Sequence, residues 1–149
     1  MSKLVAYFSA SGVTAGKAQQ LAKAVGADLH EIAPAVKYTS ADLNWQDKQA
    51  RSTVEANDDS ARPELAEPTT DLSAYDTIYI GFPIWWYTAP KIIRTFIENN
   101  DLKGKKIALF ATSGGSNLDK ALKELRKDYP DLDFVGGKML NGPVTGDIL

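Results

Sequence analysis

Short apolar runs separated by helical spacing constrain this chain more than any other feature. Leu4-Val5-Ala6-Tyr7-Phe8, the stretch 77–82 and the stretch 106–111 are nearly continuous in apolar residues, as strands buried on both faces are. Between them the period changes. Ala18, Leu21, Ala22 and Val25 fall at i, i+3, i+4 and i+7, and Gly26 is placed to end that helix. Pro90 opens a second helix in its first turn, where a missing N–H costs nothing, and Ile92, Ile93, Phe96 and Ile97 form its buried stripe. Leu118, Ala121, Leu122 and Leu125 mark a third, closed before Pro130. A short strand is expected over 28–33 and a last one within 133–140, interrupted by Gly136-Gly137. Strands alternating with helices make βαβ units, hence an α/β, doubly wound, mainly parallel sheet with helices on both faces. At 149 residues the expectation is a single domain over 1–149.

Right-handed crossovers place every strand-to-helix turn at the carboxyl end of such a sheet. Three of these turns carry chemistry: 9–14, 83–88 and 112–117. The first offers the hydroxyls of Ser9, Ser11 and Thr14 beside Gly12, at a helix start where backbone N–H groups and the dipole favour an anion. It holds no Lys or Arg, so a phosphate there would be held by dipoles and hydrogen bonds. Taken alone, the same residues also fit a simple N-cap by Ser11 or Thr14. Other nucleotide and receiver motifs fit badly. Three residues separate Gly12 from Gly16 where a P-loop needs four, and Lys17 is followed by Ala18. Ser9 and Ser11 stand where a dinucleotide fingerprint needs glycine, and the turn has no acid for a phosphoacceptor site. The second turn sets Trp85, Trp86 and Tyr87 in a row, stacking surfaces with polar handles of which at most two can point inward. The third, Thr112-Ser113-Gly114-Gly115-Ser116, gives close backbone approach, though alone it is also a plain turn with a Ser116 or Asn117 cap.

Taken in order, these residues resemble the flavodoxin-like FMN proteins. Tyr7-Phe8-Ser9-Ala10-Ser11-Gly12-Val13-Thr14 is similar to the family's phosphate loop. The segment Gly81-Phe82-Pro83-Ile84-Trp85-Trp86-Tyr87-Thr88-Ala89-Pro90 is similar to the flavin-ring loop of a small-flavodoxin branch. Phe110-Ala111-Thr112-Ser113-Gly114-Gly115-Ser116 is similar to its third loop. The resemblance implies a five-stranded sheet in the order 2-1-3-4-5 and a bound FMN. By position, Ser9, Ser11, Gly12, Val13 and Thr14 would cradle the phosphate. Pro83, Ile84, Trp85, Trp86 and Tyr87, with Thr112, Ser113, Gly114, Gly115 and Ser116, would line the isoalloxazine. Two departures stand out. Many relatives have Asn where this chain has Val13, and many carry a final helix for which residues 142–149 are too few. The C-terminal end is therefore expected to be shortened, with one sheet face thinly covered there or covered by a second copy in a homodimer.

A redox function follows from the implied flavin, since FMN carries the electrons and the protein tunes it. The turns 83–88 and 112–117 contain no Asp or Glu, so they do not oppose negative charge on a reduced ring. Residues 84–88 contain no glycine, and a backbone flip to positive φ on Trp or Tyr costs about 1–2 kcal/mol. Both points favour two-electron exchange. The primary reading is a flavodoxin-like redox protein that carries electrons between partner proteins. The alternative is an FMN-dependent NAD(P)H:quinone-type oxidoreductase acting on small molecules; a module that has lost its flavin is a third class.

Composition narrows the rest. There is no cysteine and one histidine, which excludes disulfides, thiolate chemistry and Cys- or His-rich metal sites. A net charge of −2 without a basic cluster argues against nucleic acid. No segment approaches membrane-spanning length and the N-terminus shows no signal peptide, so the expected location is the cytoplasm. His30 is expected to be structural or exposed. The long stretch 34–71 is polar and acidic, with at best a weak helix, and reads as a functional lid or as disordered. Within it, Trp45 is either an anchor or a residue over the ring.

Overall fold

The structure, a computed structural model, describes residues 2–9, 12–36, 38–39, 47, 49–58, 60–67, 71–84, 89–112 and 118–139, apart from the side chains of Ser2, Val13, Ser52, Ala56 and Lys138. Its elements run β1 (Ser2–Tyr7), α1 (Val13–Val25), β2 (Asp28–Glu31), α2 (Arg51–Ala56), β3 (Tyr75–Pro83), α3 (Lys91–Asn99), β4 (Lys106–Thr112), α4 (Asp119–Asp128) and β5 (Asp133–Met139). The strands form one parallel sheet in the order β2-β1-β3-β4-β5. This is the expected 2-1-3-4-5 arrangement, and its direction reverses between β1 and β3.

Alternation along each buried strand sends one set of side chains to each face. Leu4, Ala6, Phe8, Ile78, Ile80, Phe82, Ile107 and Leu109 form a core with the predicted stripes of α3 and α4. Val5, Tyr7, Tyr79, Ala108 and Phe110 meet Ala18, Leu21 and Ala22 of α1 on the opposite face. Phe110 lies flat over its cross-strand neighbour Gly81, where an added Cβ would fall 2.0 Å from its ring. Ala108 and Phe110 are fully buried in that second core. Residues 140–149 lie outside the described residues.

Several boundaries shift for local reasons. Pro83 was expected just past β3 but belongs to it, opposite Thr112. The next rung toward β1 would need an N–H from Pro83, which has none, so pairing with β1 ends at Tyr7 and Gly81 while pairing with β4 runs on. Pro90 is the N-cap of α3 and not its first helical residue. Leu118 likewise caps α4, still buried on the core. The interruption in β5 is a bulge: Phe134 pairs with Ile107 and Gly136 with Ala108, leaving Val135 as the extra residue. Gly137 then leaves room for Leu118, whose Cδ2 would lie 2.4 Å from a Cβ there.

The long connection is pinned to the body. Pro34 bridges Leu65 in antiparallel fashion, Ala35 N–H donates to the Glu64 carbonyl at 2.8 Å, and Ala66 N–H donates to the Ala33 carbonyl at 2.9 Å. Leu65 and Leu72 are buried in the larger core. Its helix, α2, spans only six residues. Trp45 falls outside the described residues.

Candidate functional site

The first turn leaves β1 with Phe8, whose N–H donates to the Gly81 carbonyl at 2.9 Å. Ser9 Oγ then accepts the N–H of Gly12 at 3.0 Å, folding the turn back on itself. Gly12 has φ 92°, a left-handed conformation that costs glycine little and other residues more. It is the N-cap of α1 and brings no side chain to cap the helix, so the cap is not Thr14; Ser11 lies outside the described residues. The first turn of α1 also holds no acidic residue. A helix cannot satisfy its own first N–H groups. Here they lie in a positive dipole field, beside the Ser9 and Thr14 hydroxyls.

Thr14 does something other than capping. Its Oγ1 shares a 2.8 Å hydrogen bond with Thr112 Oγ1, and both residues are buried, at 1% and 5% exposure. That bond ties the first turn to the end of β4, where the third turn begins. The Ile84 N–H donates to the Thr112 carbonyl at 3.0 Å, tying in the second turn as well. Thr112 is thus the point at which all three turns meet. Of the predicted site residues, Ser9, Gly12, Val13, Thr14, Pro83, Ile84 and Thr112 are brought to one edge of the sheet, beside the β1–β3 reversal. Ser11, Trp85, Trp86, Tyr87, Ser113, Gly114, Gly115 and Ser116 lie outside the described residues.

The long connection adds side chains at this edge that the sequence analysis does not single out. Tyr38 sets its ring edge-on to Phe8, with centroids 5.6 Å apart. The Arg51 guanidinium lies over the Tyr38 ring at 3.9 Å. Tyr38 OH donates to Glu55 Oε1, Arg51 Nε donates to Glu55 Oε2 at 3.0 Å, and Arg51 Nη1 donates to the Val36 carbonyl at 2.6 Å. Only the i,i+4 spacing of Arg51 and Glu55 was visible beforehand. His30 lies in β2, half-buried, with its ring 6.1 Å from that of Phe96. It pairs with Ala6 within the sheet.

These residues suit a phosphate-bearing flavin. A glycine-capped helix start with hydroxyls and no carboxylate fits a phosphate dianion, and the point where strand order reverses, at the carboxyl edge, is where open α/β sheets bind ligands. The sequence model of the family described as Flavodoxin matches residues 2–149. A crystal structure of a candidate flavoprotein from Bacteroides uniformis superposes with a TM-score of 0.94 at 52% identity, covering 96% of this chain and 92% of that one. A second, from Bacteroides eggerthii, gives 0.94 at 50% identity over 97% and 91%. A flavoprotein from Lactobacillus acidophilus, solved in complex with FMN, shares the fold at a TM-score of 0.69 and 23% identity, over 93% and 92%. No curated protein matches.

Proposed function

This chain belongs to the flavodoxin family, whose cofactor is FMN, and on that premise we propose that it is a single flavodoxin-like domain over 1–149 that carries electrons on non-covalent FMN. FMN supplies the redox chemistry when bound. The protein's part is to hold the phosphate, place the ring and control access to it. The phosphate is assigned to the start of α1, with Ser9, Ser11, Gly12, Val13 and Thr14 around it. The ring is assigned to Pro83, Ile84, Trp85, Trp86 and Tyr87 on one side and Thr112, Ser113, Gly114, Gly115 and Ser116 on the other. The observation that carries this reading is the glycine-capped, acid-free start of α1, locked to β4 through Thr14 and Thr112.

Val13 leaves the phosphate without the Asn side chain many relatives supply, so backbone N–H groups carry more of the load. A redox partner protein is the proposed electron donor or acceptor, in the cytoplasm, and a homodimer is compatible with this role. Among the described residues no helix is long and apolar enough to cross a membrane.

Titrating the protein into FMN tests the reading. Quenching of flavin fluorescence, with a visible spectrum retained after gel filtration, is the expected result. A protein that neither quenches FMN nor retains it overturns the assignment. Steady NAD(P)H consumption with a quinone by the isolated protein would move the reading to the NAD(P)H:quinone-type oxidoreductase.

A further inference from the structure

We propose that Tyr38, Arg51 and Glu55 form a clamp that positions the phosphate turn from outside it, so that residues of the long connection set how tightly the phosphate end of FMN is held. This rests on the flavin reading above. Phe8 directly precedes the turn, is 1% exposed, and has its N–H fixed to the Gly81 carbonyl. Its ring is therefore the side-chain root of the turn that Ser9 and Gly12 fold. Tyr38 packs edge-on against that ring.

Tyr38 is itself held at two points, and one of its holders is anchored in turn. Its hydroxyl donates to Glu55, its ring face carries the Arg51 guanidinium, and Arg51 reaches the Val36 carbonyl two residues before Tyr38. Glu55 accepts from both Tyr38 and Arg51, so both carboxylate oxygens are engaged. A charge-assisted hydrogen bond and a cation over a ring are each stronger than their neutral counterparts, and in one small network they reinforce one another. The bonds are closed between 36–38 and 51–55, two stretches with no pairing of their own in the sheet. Such a network is costly to maintain in a solvent-facing connection unless it fixes something. In the body, Tyr38 packs on the larger core, with its ring set against that of Phe8.

A clamp acting through Phe8 reaches the phosphate turn before it reaches the ring-binding turns. Its effect is then specific to the part of the ligand that distinguishes FMN from riboflavin. The experiment measures dissociation constants for both, by fluorescence quenching, in wild type, Tyr38→Ala, Tyr38→Phe and Glu55→Gln, with thermal midpoints alongside. Tyr38→Ala is expected to weaken FMN about tenfold, the loss of roughly one hydrogen bond's worth of positioning, with riboflavin affinity unchanged. Tyr38→Phe keeps the ring on Phe8 and should fall between wild type and Tyr38→Ala, as should Glu55→Gln, which retains the fold if Tyr38→Ala does not.

Parallel losses for both ligands, tracking a falling midpoint, would show a merely structural role and overturn the clamp. Equal FMN-to-riboflavin preference in all four proteins would do the same. Failure of wild type to bind either ligand would instead remove the flavin reading itself, so the two ideas fail separately.

Discussion

Gly81→Ala should destabilise the protein by about 1–3 kcal/mol, the usual cost of forcing extra volume into a packed core. The added methyl would meet the fully buried Phe110 ring on the neighbouring strand, which has no solvent side to turn toward. Pairing it with Phe110→Leu should recover part of the loss in urea denaturation, and a double variant no better than Gly81→Ala would refute this explanation. Thr112 makes a different prediction. Thr112→Val leaves Thr14 Oγ1 buried without the partner it has at 2.8 Å, a loss of about 1–3 kcal/mol. Thr112→Ser keeps the hydroxyl and should restore most of that stability. Both effects concern side chains that the apolar pattern marks as ordinary core or turn residues.

At the scale of elements, α3, α4 and the long connection are laced by charge. Arg62 donates to Glu98 at 2.9 Å, Tyr129 OH donates to the same carboxylate, and Arg94 pairs with Asp128 at 2.5 Å. These groups border a cavity of about 500 Å³ between the two helices. Burial alone would raise the Glu98 carboxyl, but hydrogen bonds from Arg62 and Tyr129 outweigh it and hold it below the ordinary carboxylate range. Burial, with the Glu98 hydrogen bond, pushes the Tyr129 hydroxyl up to about 12.

The two shifts act at opposite ends of the pH scale. A lowered folded-state carboxyl stabilises the fold above its unfolded value and loses that contribution as pH falls through the folded one. A raised tyrosine stabilises below about pH 10 and loses its contribution as pH rises from there toward 12. Urea midpoints should therefore be flat near neutrality and fall on both sides. Glu98→Gln should flatten the acid limb, and an unchanged limb would remove this network as its source. Because Glu98 is partly exposed, the effect should also shrink in high salt.

For the molecule as a redox protein, the two turns proposed to hold the ring make two predictions. With no Asp or Glu in 83–88 or 112–117, the second reduction step should be less negative than in flavodoxins that surround the ring with acids. Potentiometric titration checks it, and a step as low as theirs is the contrary outcome. With no glycine in 84–88, photoreduction should pass with little one-electron radical accumulating in the visible spectrum. A strong long-wavelength radical band would show that the backbone flips despite its cost.

Much of this architecture was legible in the chain. The continuous apolar runs at 4–8, 77–82 and 106–111 place three central strands, because a strand covered on both faces has no polar period to confuse it with a surface helix. The stripe Ile92, Ile93, Phe96 and Ile97 is buried throughout. Turn positions were legible for a related reason: handedness sends every strand end to one edge, so local motifs on separate strands become neighbours without any long-range signal. The strand order itself came from the family resemblance.

The periodic part is therefore written in the chain: strand, helix, strand, the edge where the turns gather, and the residue types offered there. Packing alone brings Thr14 to Thr112 across 98 positions, gives Gly12 the cap, and sets Tyr38 on Phe8. Periodicity encodes which face a residue turns to, since that depends on its near neighbours along one element. A partner contributed by another element depends on the packing of the whole sheet, and no local pattern carries it.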